Sequence, residues 1–421
     1  PLHHENKDGQ VKHIYTSVDI GSDSIKVVTS ELFKGKLNLL AASSVKSKGI
    51  KKGLITDVNS ATMSLQKAIS EVENMLGIKI KKVITTIPSY FAEFTKIDGE
   101  IKINNENKIV TGDDVVKVLG QAVKGKISST KEMVTIVPID FSVDSKTGIK
   151  DPKGLTGNTL RTRAILITTP KKNIYSVVGL IEAIGIEVVD ISLNSIGDIN
   201  ALKNKGMEEK IGAIINIGAE TTTVSVYNKN ILIKTSIIGM AGRDIDNDIS
   251  YMYKIDLEVA KKIKEKFALA HKKYASSSEI YELPGHKNIE QLEVSTITMS
   301  RIEEILTLAK KELLELTNRQ MEYIIITGGV SNMSHFELVA ENIFGKDVII
   351  GNVRLIGIRN NKYSSAVGNI VYFINKLKIK GKNYTMVSDT DMEILSSTKK
   401  SLINVSNESM LGKVFGYFFG E

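Results

Sequence analysis

"YTSVDIGSDSIKVVTSELFKGKLNLL", residues 15–40, runs an apolar strand into Asp19-Ile20-Gly21, breaks at the small polar turn Ser22-Asp23-Ser24, and resumes as a second strand. Far downstream, "AIINIGAETTTVSVYNKNILI" repeats the layout with Asn216 in the place of Asp19. Such a turn gathers backbone N–H groups around a concave spot, and its glycine lets the chain approach a phosphate without a Cβ clash. One hairpin of this kind is more often a plain tight turn than a phosphate loop. Two of them, one in each half of a duplicated chain, suit a cleft whose opposite walls grip one phosphate tail. A third element, "IIITGGVSN", places two glycines after a buried apolar strand, where a sugar and base can lie against bare backbone. No GxxxxGK[ST] occurs, so the P-loop class is out.

Outward from the first turn, residues 14–47 read as three strands joined by tight turns such as Lys34-Gly35-Lys36. Asn59-Ser60 reads as the cap of a helix that sets Leu65, Ala68, Ile69, Val72, Met75 and Leu76 on one face and stops at Gly77. "KKVITTIP" is then a buried strand. Residues 89–160 change character, and short strands with one small helix over 113–124 suggest an inserted α+β module. "RTRAILITTP" returns to a core strand, followed by a helix over 172–184 and the strand "EVVDISL". The second half opens at Ile211 with three more strands. A lysine-rich helical region over 257–273, a helix over 298–318 and the strand into "TGGVSN" follow, and a helix over 363–378 closes the fold. From residue 380 onward, low apolar content reads as a linker leading to "MLGKVFGYFFGE".

With 421 residues the chain exceeds one domain. Zero cysteines exclude disulfides and Cys-ligated metals. No run approaches the roughly 20 apolar residues of a membrane span, and the polar start "PLHHENKDGQ" lacks the apolar core of a secretory signal. A cytoplasmic address fits. The net charge of +8 suggests nucleic acid, but the lysines are dispersed, aromatics make up 6% and Trp is absent. A solvated surface and no nucleic-acid partner is the reading, with an acidic peptide or lipid headgroups left open.

Together the glycine elements resemble the actin/Hsp70/sugar-kinase ATPase superfamily. "VDIGSDSIKVV" and "INIGAETTTVSVY" look like its two phosphate motifs, "LNSIGDINAL" and "SAVGNIV" its connecting helices, and "IITGGVSNM" its adenosine motif. Within it, "GIKKGLITDVNSATMSLQKAISEVENMLGIKIKKVITTIP" and "VPIDFSVDSKTGIKDPKGLTGNTLRTRAILIT" are similar to the bacterial cell-division FtsA family, a likeness running over residues 14–378. It implies an α/β, actin-like two-domain ATPase fold of duplicated ribonuclease-H-like domains with an FtsA-type inserted α+β subdomain. The first domain core then takes 12–83, 166–205 and 357–380, with the insert at 84–165 and residues 1–11 set apart. The second core takes 206–250 and 320–356, its small subdomain 251–319, a flexible linker 381–407, and a terminal helix 408–421.

The resemblance further implies ATP with Mg2+, filaments of the chain itself, and tethering of FtsZ to the inner face of the cell membrane. Recruitment of other divisome membrane proteins goes with it. Position by position, it puts Asp19, Gly21, Ser22, Ser24 and Lys26 on the first phosphate loop. Asn216, Gly218, Ala219, Glu220, Thr221, Thr222 and Thr223 fall on the second, Gly242 and Asp244 on a Gly–x–Asp turn, and Lys264 beside the nucleoside. Gly328, Gly329 and Val330 fall on the adenosine loop and Gly368 on a connecting helix. Relatives that hydrolyse ATP carry an acid where Asn216 stands and Glu or Gln near Asn194. Amides bind a cation more weakly and cannot act as a base. Asp19 remains as the Mg2+-side carboxylate, through water, and Glu220 reads either as its substitute or as an exposed turn residue. Asp19, Asn194 and Glu220 are the candidates for catalysis, and the expectation is tight binding with slow hydrolysis or none.

On a helix, Leu411, Val414, Phe415, Phe418 and Phe419 share one face, too short to span a bilayer but suited to lie in its interface. Docking of that segment on the protein's own body or on a neighbour is the alternative. Arg301, with Glu304, falls where the family meets the C-terminal peptide of FtsZ; a plain Arg301–Glu304 pair on an exposed face is the other reading. A pilus-assembly scaffold of the PilM type and a sugar or metabolite kinase are rivals on the same fold. The first normally lacks the terminal segment, and the second needs a substrate base that no motif here supplies.

Overall fold

A computed structural model describes residues 11–285, 288–353 and 360–402. In the first half, His13–Ile20 pairs antiparallel with Ser24–Phe33, which pairs with Lys36–Lys46. On its other edge lie the parallel strands Lys82–Ile87 and then Glu187–Leu193. The second half repeats this order. Ile211–Ile217 pairs with Thr222–Asn228 and that with Ile231–Ile238, while Tyr323–Thr327 and Ile349–Ile350 run parallel on the other side. The central strands are buried along nearly their whole length because helices cover both faces, although the first of them carries Thr16, Ser17 and Asp19 among its apolar residues.

Helix Val58–Leu76 buries Leu65, Ala68, Ile69, Val72 and Leu76 and ends at Gly77 with φ 75°, which glycine adopts without strain. Its cap is Asp57 rather than Asn59-Ser60, because the extended Asp57 accepts the Ser60 N–H on its side chain. The insert is a four-stranded sheet, Glu93–Lys102, Thr159–Pro170, Lys131–Val143 and Lys146–Ile149 in that order, so "RTRAILITTP", expected to return to a core strand, pairs with the insert's strands along its whole length instead. Helix Gly112–Val123, closed by a Thr111/Asp114 capping box, covers it over a separate core that includes Ile103, Val115, Phe141 and Leu160.

Two expected helices differ. The lysine-rich one is Leu257–Lys266 and stops short of 273, because the chain turns at Phe267 to bury Ala268 and Ala270, leaving only a 3₁₀ turn at Lys272–Tyr274. The long one is Gln291–Leu316, its buried face beginning earlier with Val294, Ser295 and Thr298.

Helix Asn194–Leu202 carries the chain from the first domain to the second, and Ser364–Ile379 closes the fold. They cross at two glycines: a Cβ on Gly368 would lie 1.6 Å from the Gly197 carbonyl oxygen. The expected linker 381–407 is a strap over its first part. Met386 N–H donates to Ile14 O at 2.9 Å, Ile14 N–H to Thr385 Oγ1 at 2.9 Å, and helix Asp389–Leu402 follows with Leu395 buried. Composition hid this, since two buried residues and an edge of backbone suffice to dock the segment. Among the described residues no helix is long and apolar enough to cross a membrane. The segment 408–421, with Leu411, Val414, Phe415, Phe418 and Phe419, lies outside them.

Candidate functional site

The two glycine turns close alike. Gly21 N–H donates to Ser24 O at 3.1 Å, and Gly218 N–H donates to Thr221 O at 3.0 Å. Each follows the central strand of its sheet, so the equal topology of the halves brings both to one cleft of about 600 Å³. Further bonds pin the turns. Ser47 Oγ donates to Gly21 O at 2.6 Å, Gly53 N–H to Ser22 Oγ at 2.7 Å, and Gly242 N–H to Gly218 O at 3.0 Å. The third wall is Gly328 with φ 94°, where a Cβ would lie 2.2 Å from Ile217 O. Only glycine fits there.

Of the residues expected on the site, Asp19, Gly21, Ser22, Ser24, Lys26, Asn194, Asn216, Gly218, Ala219, Glu220, Thr221, Gly242, Lys264, Gly328, Gly329 and Val330 all line this cleft. Two do not. Thr222 is fully buried and donates to Met240 O at 2.7 Å, because the strand's alternation turns only its expected neighbours Thr221 and Thr223 to the cleft. Asp244 caps its own helix, accepting the Ala241 N–H at 2.8 Å. Glu220 is half-buried at the rim, near Tyr90, whose hydroxyl burial and then the Glu220 charge push up in pKa.

Asp19 is held by three neighbours. Asn194 Nδ2 donates to its Oδ1 at 3.0 Å, Thr86 Oγ1 donates to the same oxygen at 3.3 Å, and Lys26 Nζ lies 3.4 Å from Oδ2. Lys264 Nζ lies 2.6 Å from Asp246 Oδ1; burial raises the Asp246 pKa, against the pull of Lys264, Arg243 and Lys261. Across the cleft, Asp23 of the first turn meets Lys261 Nζ at 2.5 Å and Arg243 at 3.9 Å, both from the second domain. Burial alone would raise the Asp23 pKa, but the Lys261 hydrogen bond and charge, with Arg243 and Lys26, hold it below the usual range. Lys52 Nζ adds a bond to Gly239 O at 2.6 Å. Seven cationic side chains against five carboxylates line the cleft, a balance suited to an anion.

Sequence reasoning missed Asp198, Asp23, Lys261, Arg243, Asp246 and Lys52. Asp23 lay in the quoted turn and Asp198 in the quoted linking helix, where an acid among Ile196, Ile199 and Leu202 was a visible signal. Arg301 is bound on its own surface: Nε and NH2 donate to Asp248 at 2.7 and 2.8 Å, and NH1 to Glu304 at 2.9 Å.

Duplicated sheets, two crossing connecting helices and one shared cleft define an actin-like protein. Solved structures agree on the fold: the PilM–PilN type IV pilus biogenesis complex matches with TM-score 0.59 at 11% identity, covering 86% of this chain and 98% of that one. MreB5 of Spiroplasma citri bound to ADP matches with TM-score 0.50 at 14% identity, covering 87% and 98%. The family model "Cell division protein FtsA" matches residues 213–368, and "SHS2 domain inserted in FTSA" matches 92–168. Cell division protein FtsA of Streptococcus pneumoniae serotype 2 is 30% identical over 363 residues, 84% of this chain and 78% of that one. Its counterpart in Bacillus subtilis is 29% identical over 394 residues, 91% and 89%. The chain belongs to the FtsA family of cell-division proteins.

Proposed function

We propose that the cleft binds ATP with Mg2+, and that the chain so loaded forms filaments that tether FtsZ to the inner face of the cytoplasmic membrane and gather other division proteins. The observation that carries the reading is the convergence of two equivalently closed glycine turns and the Gly328 loop on one cation-rich cleft. Family membership supports the division role, and the ADP named in the MreB5 structure supports the ligand class.

The backbone of residues 21–24 and 218–221 would hold the phosphate tail, and Gly328, Gly329 and Val330 leave room for sugar and base. Among the described residues no group of three or more acidic or His side chains is placed to hold a metal. The cation would therefore arrive on the phosphates and meet the buried Asp19 through its water shell, an arrangement Mg2+ favours. When bound, it supplies neutralisation of phosphate charge. Asn194 donates to Asp19 and Asn216 to Asp198, so both amides orient and neither removes a proton; hydrolysis is slow or absent.

Calorimetric titration of the full chain with ATP, with and without Mg2+, should give saturable one-to-one binding, and no heat at millimolar ATP would refute the reading. Membrane attachment is assigned to 408–421 by its apolar face. Removing those residues should abolish liposome co-sedimentation; undiminished lipid binding would defeat the anchor. The surface at Arg301 and Glu304 is proposed for the acidic FtsZ peptide, which would displace Asp248 from Arg301, and Arg301→Ala should weaken capture of that peptide.

A further inference from the structure

Asn216 is the penultimate residue of the strand Ile211–Ile217, two before Gly218, and its amide cannot turn freely. Its Nδ2 donates to Asp198 Oδ2 at 2.8 Å. An ionised carboxylate only accepts, so the nitrogen is the end facing Asp198 and Oδ1 is the end left for the other side. The surroundings agree. A Cβ built on Gly328 would lie 2.7 Å from Asn216 Oδ1, which puts that oxygen on the side of the glycine loop, and Asn216 lines the cleft. Asp198 is itself anchored: 2% exposed, it accepts Ser364 Oγ and Ser365 Oγ on its Oδ1, each at 2.8 Å. It therefore joins the linking helix, the closing helix and the second domain's central strand at one point.

We propose that Asp198 is a positioning residue which, by holding Nδ2 of Asn216, presents Asn216 Oδ1 to the cleft as a fixed acceptor. A carboxylate at 216 would offer the same oxygen with a negative charge beside the phosphates. Here the acceptor is kept and the charge is moved behind it, where two serines and the amide stabilise it. The oxygen would face the water shell of the cation on a bound nucleotide. The inference rests on the nucleotide reading and adds to it a residue outside the cleft that sets its response to Mg2+.

The test is the ratio of dissociation constants for a fluorescent ATP analogue measured in EDTA and in Mg2+, on the full chain. Asp198→Ala frees the amide to present either end, and the ratio should fall about tenfold, the scale of one charge-assisted hydrogen bond. The double substitution Asp198→Asn with Asn216→Asp exchanges donor and acceptor and keeps the bond, so its ratio should equal or exceed that of the wild type. A purely structural Asp198 would change both constants together and leave the ratio alone. An unchanged ratio in a folded Asp198→Ala, or a double variant as insensitive to Mg2+ as the alanine one, overturns the proposal. If the alanine variant does not fold, the double variant decides. Wild type that binds no nucleotide would remove both readings, whereas wild type that binds beside unaffected variants removes only this one.

Discussion

Asp198 is a carboxyl group buried at the joint of three elements. Burial pushes its pKa up to about 6, while the bonds from Asn216, Ser364 and Ser365 oppose the rise and the Asp19 charge adds to it. The sign for stability follows. The folded state holds this proton to higher pH than the unfolded chain, so the contribution is present below pH ~4 and is lost as pH rises through about 6. Urea unfolding across that window should show wild type losing about 1–3 kcal/mol relative to Asp198→Asn, whose side chain does not titrate. Gly328 is the second sensitive residue. At φ 94°, and with Ile217 O 2.2 Å from any Cβ, Gly328→Ala should cost about 1–3 kcal/mol and weaken nucleotide binding, read by the same unfolding curves and by calorimetry. Asp198 could be seen in the sequence as an acid on an apolar helix. Its partner could not, because Asn216 lies on another element and side-chain pairing across elements leaves no local pattern.

At the scale of elements, the strands and the larger helices were readable because period and caps are local. The duplicated order of the sheets followed from the repeat of strand, turn and strand. The misplacements were local contests that tertiary contact decided. Asp57 displaced Asn59-Ser60 as cap, Phe267 ended the lysine-rich helix early, and the strap at Thr385 and Met386 found backbone partners on Ile14. The crossing of the connecting helices is the tightest joint, with Gly197 O 1.6 Å and Ala201 N 2.9 Å from a Cβ on Gly368. Both are backbone atoms and cannot step aside. Gly368→Ala should therefore force the helices apart and cost about 3 kcal/mol, seen as a lowered urea midpoint, while Gly179→Ala, with open space at its Cβ, should not.

Across the whole molecule the cleft is closed by charge as well as by the hinge. Asp23 holds Lys261 and Arg243 from the opposite domain, and Lys46 meets Glu258 at 2.6 Å. The Lys261 and Asp23 side chains are 19% and 36% exposed, so salt reaches the pair. Small-angle scattering of the nucleotide-free chain should show a larger radius of gyration for Asp23→Asn than for wild type. In 1 M salt, where the Debye length is about 3 Å, the difference should vanish as wild type opens too. Equal radii at low salt would mean that the hinge alone sets the closure.

From the order of its residues alone, the chain was committed to two like halves, an inserted module and a glycine turn at the head of each half, since strand period, turn chemistry and spacing all act over short distances. Which wall each turn faced, that Asp23 would bridge the domains, and that a buried acid would stand behind Asn216 belonged to the folded molecule. Those contacts join side chains far apart in the chain, and only the packing of both sheets around the crossed helices brings them within bonding reach.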